Sequence, residues 1–308
     1  MIDFSLKPIF LAPLAGFSDL PLRSVVKRFG CDVTVSEMIS ANALVYESSD
    51  KTLEMLKKSP EETPYIVQIA GSDREIIKKA VEIINKFEGI DGIDLNCGCP
   101  VPKVVKQCAG SALLKDIDNL KKIVETIKKT SNKNMLSVKM RLGFDEKIPE
   151  ILALAAEDAG ADYIAFHGRT RAGGYTAKVD YEAIARAKSA VKIPLIANGD
   201  ISEKNAEQVF KLTNCDAIMI GRACIGKPWV FHEIKSSQSV TNELKREIIL
   251  AHFDAMLSHY GAHGVSIFRK HLHQYSKGIE GASAFRDEIN RISDAFTMRE
   301  KIEDFFKI

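Results

Sequence analysis

Asn96, Cys97, Gly98, Cys99 and Pro100 close a short apolar run that begins at Gly92. Two thiols and an amide are thereby placed just past a buried strand, on backbone that glycine and proline hold to a fixed path. In a barrel or an open α/β sheet the C-terminal ends of the strands carry the chemistry. A cysteine there can be a nucleophile, a metal ligand or an acid. Metal is the weakest reading: Cys97 and Cys99, with Cys108 further on, lack C-x-x-C pairs, and no histidine stands near to complete four ligands. No metal is expected. Cys108 precedes Ala109-Gly110-Ser111 and can be a packed small residue, while Cys31, Cys215 and Cys224 have no partner by spacing and read as core. Cys97 or Cys99 remains as a catalytic thiol, and Cys99, fixed between Gly98 and Pro100, is the better placed.

Other polar residues end apolar runs in the same way. Gln68 closes one, Asn96 the next, Lys139 and Arg141 another. His167 with Arg169, Asn198 with Asp200, and Gly221 with Arg222 close three more. Singly, each is an ordinary loop-start residue. Repeated at equivalent positions, they would converge on one mouth, because such groups are costly to bury without partners. The glycines of Asn198-Gly199-Asp200 and Gly221-Arg222 let backbone N–H groups approach an anion, and Arg222 adds charge, where barrels commonly hold phosphate. Lys139 pointing inward would stabilise negative charge on a reduced ring such as a flavin; the alternative is an ion pair with Asp94 or Glu37.

These groups need a scaffold. Apolar, β-rich runs fall at 9–14, 33–38, 65–70, 92–96, 136–141, 163–167, 194–198 and 217–221, each nearly continuous as strands buried on both faces are. Helical segments alternate with them. Ser72 and Asp73 can cap a helix over 74–87, Asp116 opens one ending near Lys129, and Ser202 opens one ending near Leu212. Eight βα units match a (β/α)₈ barrel. No G-x-G-x-x-G follows the first strand and no G-x-x-x-x-G-K-[ST] occurs, so a doubly wound sheet is the poorer fit. From Glu243 onward the pattern is helical, with Ile248, Ile249, His252, Phe253 and Met256 at three- and four-residue spacing. The expected division is a barrel over 1–237 and a small all-helical domain over 238–308.

Composition narrows the function classes. The 308 residues are 45% hydrophobic and 27% charged, as in ordinary globular chains. Forty-three Lys and Arg against 41 Asp and Glu give a net charge of +2, so a nucleic-acid partner must be held by a local patch. Such a patch is offered by Arg269, Lys270, His273 and Lys277, which would share a helix face, together with Lys103, Lys106, Arg169 and Arg171 at the mouth. Pro13 within the apolar stretch 9–17, and the single Lys7 ahead of it, argue against a signal peptide, and no run is long enough to span a bilayer. Six cysteines, several of them in apolar surroundings, fit a reducing cytoplasm, with no membrane partner.

With these residues in view, the chain resembles the tRNA-dihydrouridine synthase family. APLAGFSDLPLR (Ala12 to Arg23) is close to that family's opening, and VSEM, QIAGSD, DLNCGCP, AGSALL, SVKMRLG, FHGRTR, IANGDI and MIGRACIGKPWVF follow in family order. The details look most like the bacterial B-type branch. The resemblance implies a TIM barrel binding FMN and a helical domain binding tRNA. It implies reduction of the C5=C6 bond of a uridine in tRNA, with NADPH, or NADH, recharging the flavin, in a cytoplasmic protein expected to be a monomer. By motif position, Pro13, Leu14, Ala15, Gln68, Lys139, His167, Asn198, Gly199, Asp200, Gly221 and Arg222 would hold FMN, and Cys99 would be the catalytic cysteine. Asn96 and Arg141, with Lys139 and His167 shared, would meet the uracil; the basic residues Arg169, Arg171, Arg269 and Lys270 would meet the RNA. Leu14 stands where Met is usual and Cys97 replaces a more typical Met, both soft or apolar exchanges.

The implied chemistry suits the residues. Reducing a conjugated uracil double bond takes a hydride at C6 and a proton at C5. A thiol can be the acid, because its ordinary pKa of roughly 8.5 leaves it mostly protonated at neutral pH. Reaching a base inside folded RNA requires flipping it out. Two other readings use the same residues: a small-molecule flavin reductase of the dihydroorotate or dihydropyrimidine dehydrogenase kind, and a non-catalytic RNA-binding barrel.

Overall fold

The structure, a computed structural model, describes residues 2–47 and 49–307. Its strands are β1 (Ile9–Leu11), β2 (Thr34–Val35), β3 (Ile39–Ser40), β4 (Tyr65–Ala70), β5 (Gly92–Cys97), β6 (Met135–Arg141), β7 (Tyr163–His167), β8 (Leu195–Asn198) and β9 (Ala217–Ile220). They pair in parallel in the order β1-β9-β8-β7-β6-β5-β4-β2, with β3 also on β4. A parallel bridge between Phe10 and Val33 joins the two ends and closes the barrel. The expected eight-unit barrel is therefore present, with one difference. The run 33–38 forms only a two-residue strand, and Ile39–Ser40 resumes the pairing further along β4, so two short strands fill one position.

Helices alternate with the strands. α1 (Leu20–Arg28), α2 (Asp50–Glu54), α3 (Arg74–Ile84) and α4 (Pro102–Val105) precede α5 (Ile117–Thr130) and α6 (Pro149–Asp158). α7 (Tyr181–Ala190), α8 (Ala206–Thr213) and α9 (Val230–Ser236) complete the ring. Short acidic side chains start several of them. Asp19 accepts from Leu22 N, Asp73 from Ile76 N, Asp116 from Asn119 N and Asp180 from Ala183 N, each cap stabilising its helix by about 1 kcal/mol. Ser72 is not a cap; its hydroxyl donates to Gln107 O instead. Ser202 does not open a helix either: α8 begins four residues later, because Asn205 bonds back to Ser202 N and holds 202–205 in a turn.

The barrel interior explains why polar groups meet at one end. Side chains alternate faces along a strand. On the inner face the lower positions are apolar, with Phe10, Ile66, Met135, Tyr163, Ile196 and Ala217 in one cluster. Climbing by twos from these, and from Gly92 beside Ile66 and Met135 on β5, leads to Gln68, Asp94 and Asn96, Lys139 and Arg141, His167, and Asn198. The intervening residues Ile93, Leu95, Cys97, Val138, Phe166 and Ala197 face outward into the layer under the helices. Cys97 is thus core, and burial pushes its thiol well above the ordinary value. Cys31, Cys215 and Cys224 are buried as expected, whereas Cys108 is exposed rather than packed.

Beyond the barrel lie α10 (Asn242–Tyr260), α11 (Gly264–Tyr275), α12 (Ala282–Ile289) and α13 (Ala295–Phe305). Ile248, Ile249, His252, Phe253 and Met256 are all buried, as their spacing requires. Their cluster reaches Val25 on α1 and Trp229 just before α9, so these helices pack directly on the barrel wall. α11 ends at Tyr275, which leaves Lys277 beyond the helix and off the face expected for it. Among the described residues, no helix is long and apolar enough to cross a membrane.

Candidate active site

Two cavities, of about 240 and 300 Å³, open at the C-terminal ends of the strands. Both are lined by Pro13, Leu14, Lys139, His167 and Tyr175, so they form one cleft of the size that ligands occupy. Asn198, Gly199, Asp200, Gly221 and Arg222 line the first cavity. Ala15, Gln68, Asn96, Cys99 and Arg141 line the second. Residues from strand ends spread over 200 positions of sequence are thereby brought to one mouth.

β1 stops at Leu11, so Pro13, Leu14 and Ala15 belong to the loop after it, held by a bond from Leu14 N to Ser18 Oγ at 2.7 Å. Lys139 Nζ donates to Asn198 Oδ1 at 3.0 Å, and Asn198 Nδ2 donates to Met219 O at 2.8 Å. Burial brings the Lys139 ammonium down to about 8, with the Asp94 carboxylate opposing and Arg141 adding to the shift. Lys139 lines the cleft and feels the Asp94 charge, but among the described residues it forms no ion pair with Asp94 or Glu37; Glu37 accepts from Gly16 N. His167 is brought down to about 2 by burial and by the cations Lys139, Arg141 and Arg169, so it is neutral. Its Nε2 lies 3.3 Å from Arg169 Nη1, and a guanidinium can only donate, so the imidazole proton sits on Nδ1.

Cys99 is half-exposed at the cleft, and its backbone is held from two sides. Asn96 Oδ1 accepts from Gly98 N at 3.1 Å and from Cys99 N at 2.9 Å. Arg141 Nε donates to Gly98 O at 2.9 Å, while its Nη1 donates to Thr170 O and Gly174 O at 3.0 Å each. Gly110 closes the loop from beneath: its φ of +61° suits glycine, and a Cβ there would come within 2.9 Å of Cys99 O. Gly199 has the same requirement, with φ +125° and a Cβ position 3.0 Å from His167 Cδ2.

The basic residues divide. Arg169 is 5% exposed and pairs with Asp200 while donating to Ala177 O, so its guanidinium braces the loop after β7. Asp200 also accepts from Arg222; the two guanidiniums hold its carboxyl below the usual carboxylate range. A carboxylate so engaged repels an anion, so Asp200 acts by fixing Arg222. Arg171 stacks on Phe144, 4.8 Å to the ring centroid. Arg269 turns inward, Nη2 donating to Ile292 O at 2.7 Å, whereas Lys270 lines a separate cavity between barrel and helices and lies 5.5 Å from the Phe17 ring centroid. Arg269 and Lys270 therefore do not share one face.

Sequence reasoning missed Tyr175. It is 56% exposed, with the Arg141 and Arg222 guanidiniums 5.2 and 5.3 Å from its ring centroid. Its only signal was the Gly173-Gly174 pair that lets the loop turn back over the cleft. Also unforeseen is a buried trio, Asp19, His252 and His271, whose ligand atoms lie within 4.8 Å of one another. Burial lowers the proton affinity of both histidines, with Lys270 adding to the shift, so both are neutral.

The sequence profile described as dihydrouridine synthase (Dus) matches residues 10–307. A probable tRNA-dihydrouridine synthase of Helicobacter pylori (strain ATCC 700392 / 26695) is 50% identical over 309 residues, spanning 99% of this chain and 94% of that protein. The tRNA-dihydrouridine synthase B of Pseudomonas aeruginosa is 37% identical over 309 residues, spanning 97% and 92%. Among solved structures, the old yellow enzyme from Trypanosoma cruzi superposes with a TM-score of 0.57 at 10% identity, over 76% of this chain and 89% of that one. The old yellow enzyme homologue from Zymomonas mobilis gives 0.57 at 16% identity, over 77% and 90%. At these identities the likeness is one of fold.

Proposed function

The chain belongs to the dihydrouridine synthase family, and from that premise we propose that it is an FMN-dependent oxidoreductase reducing specific uridines of tRNA to 5,6-dihydrouridine, with NADPH as reductant. The observation that carries this reading is the cleft itself: an anion-suited end at Gly199, Gly221 and Arg222 runs past Lys139 to an end lined by Asn96 and Cys99.

The residues fit FMN. No side chain narrows the cleft at Gly221, where a Cβ would meet nothing closer than 3.8 Å, and Arg222 beside it supplies charge for a phosphate. Pro13, Leu14 and Ala15 offer an apolar wall, Gln68 an amide, and Lys139 a cation for the charge that a reduced ring gains. Bound FMN supplies the hydride that goes to uracil C6. Asn96 and Arg141 orient the base, with Lys139 and His167 lining the same cavity. Cys99 gives its thiol proton to C5 and is reprotonated from solvent. Backbone bonds from Asn96 and Arg141 keep the sulfur-bearing loop in place for that transfer.

In this reading residues 1–237 are the FMN barrel and 238–308 the tRNA-binding domain, with Lys270 and Arg171 reaching RNA and Arg169 and Arg269 acting as supports. The protein works in the cytoplasm as a monomer without metal. The test offers the purified protein, loaded with FMN and supplied with NADPH, unmodified tRNA and free uridine in parallel. Dihydrouridine in the tRNA alone is expected; turnover of the free nucleoside alone would overturn the tRNA assignment.

A further inference from the structure

Strand register sets Gln68, Asp94 and Ser137 side by side on the inner face of β4, β5 and β6. Asp94 is 4% exposed and lines neither cavity. Its Oδ1 accepts from Ser137 Oγ at 2.6 Å and its Oδ2 from Gln68 Nε2 at 2.7 Å. Burial pushes the Asp94 carboxyl up to about 6, against the bonds from Ser137 and Gln68 and the Lys139 charge, so it is ionised at neutral pH and can only accept. Gln68 must therefore turn its nitrogen toward Asp94 and its oxygen toward Asn96, whose Nδ2 donates to it at 2.7 Å. Asn96 in turn is left with Oδ1 facing the two N–H groups of Gly98 and Cys99. The chain of bonds runs in one direction, from the Cys99 backbone to a buried charge.

We propose that Asp94 is a positioning residue that sets the orientation of the Gln68 and Asn96 amides, and through them the loop carrying Cys99. Reversing Asn96 would oppose its NH₂ to the Gly98 and Cys99 N–H groups, and reversing Gln68 would set its oxygen against the Asp94 carboxylate and its NH₂ against that of Asn96. Each amide nitrogen also has a second N–H outside the chain, and both residues line the cleft. Asn96, 8% exposed, can offer that N–H to the carbonyl oxygen of a pyrimidine or a flavin ring, whereas Gln68 is fully buried. An asparagine at 94 could show Gln68 either its oxygen or its nitrogen, so the direction would be enforced only from the Gly98 and Cys99 end.

The activity readout of the test rests on the uridine-reduction reading; a second readout does not. Asp94→Asn and Asp94→Ala are loaded with FMN, and Cys99 is alkylated with iodoacetamide without tRNA, peptide mass mapping separating it from exposed Cys108. Expected for Asp94→Asn are an unchanged melting temperature and FMN affinity, a several-fold change in Cys99 labelling rate, and dihydrouridine formation slowed on the order of tenfold, the scale on which outer-shell partners act. Asp94→Ala changes labelling at least as much. Wild-type labelling in both variants overturns the proposal, as does a labelling change matched by equal losses of FMN affinity and melting temperature, which marks a packing role. A labelling change in a protein whose wild type makes no dihydrouridine upholds the role of Asp94 and removes the tRNA reading alone.

Discussion

Lys139 Nζ lies 3.0 Å from Asn198 Oδ1, a bond that reaches across the mouth from β6 to β8 over the intervening β7. It fixes a buried ammonium between the two cavities, where charge on a bound ring would be felt. The ammonium titrates at about 8, so it is a cation below that pH and neutral above.

Reduction of bound flavin by NADPH should therefore slow as pH rises through about 8, if the cation stabilises the reduced ring. Lys139→Met should be slow throughout and lack that alkaline limb, checked by stopped-flow bleaching of the flavin across pH. An unchanged limb in Lys139→Met assigns the titration elsewhere.

Asp200 joins Arg169 and Arg222, and its carboxyl is held below the ordinary range chiefly by the Arg169 hydrogen bond. A depressed folded-state pKa means stability that is present above the unfolded pKa of about 3.9 and lost as pH falls through the folded value. The carboxylate side chain is 44% exposed, so about 1 kcal/mol is the expected scale. Asp200→Asn should lower the melting temperature above about pH 5, and the difference should close in stronger acid. FMN affinity should fall too, because Arg222 loses its brace.

Lys270 and Arg269 are neighbours in sequence with different duties. Lys270→Ala should weaken tRNA binding and lower the slope of log affinity against log salt by roughly 0.7 to 0.9, one phosphate contact. Arg269→Ala should leave that slope unchanged and lower thermal stability, since it removes the bond to Ile292 O and the packing of a half-buried side chain. Filter binding over a salt series, with melting curves, separates the two.

The barrel was legible because its strands are buried on both faces, giving continuous apolar runs whose ends are sharp. The same continuity hid which face each residue takes. Cys97 and Cys99 look alike in sequence, but pleating turns Cys97 into the layer under the helices and leaves Cys99 at the cleft. Position 33–38 read as one strand, but only Thr34–Val35 pairs within it and the ladder resumes at Ile39–Ser40, past the end of the run. The partners of Arg169 and Arg269 were not legible because a guanidinium's partner is set by tertiary geometry: Asp200 lies 31 residues from one, Ile292 lies 23 from the other. Tyr175 was illegible for a related reason, since its place over the cleft depends on a loop that Arg141 ties down from another strand.

The most direct test of the account is a comparison of wild type and Cys99→Ala, both loaded with FMN and pre-reduced by NADPH, mixed once with unmodified tRNA. Dihydrouridine is counted by nucleoside mass spectrometry while flavin colour is followed. Wild type should form dihydrouridine as the colour returns; Cys99→Ala should bind FMN and accept electrons from NADPH normally, yet form almost none. Full product yield from Cys99→Ala would contradict the account.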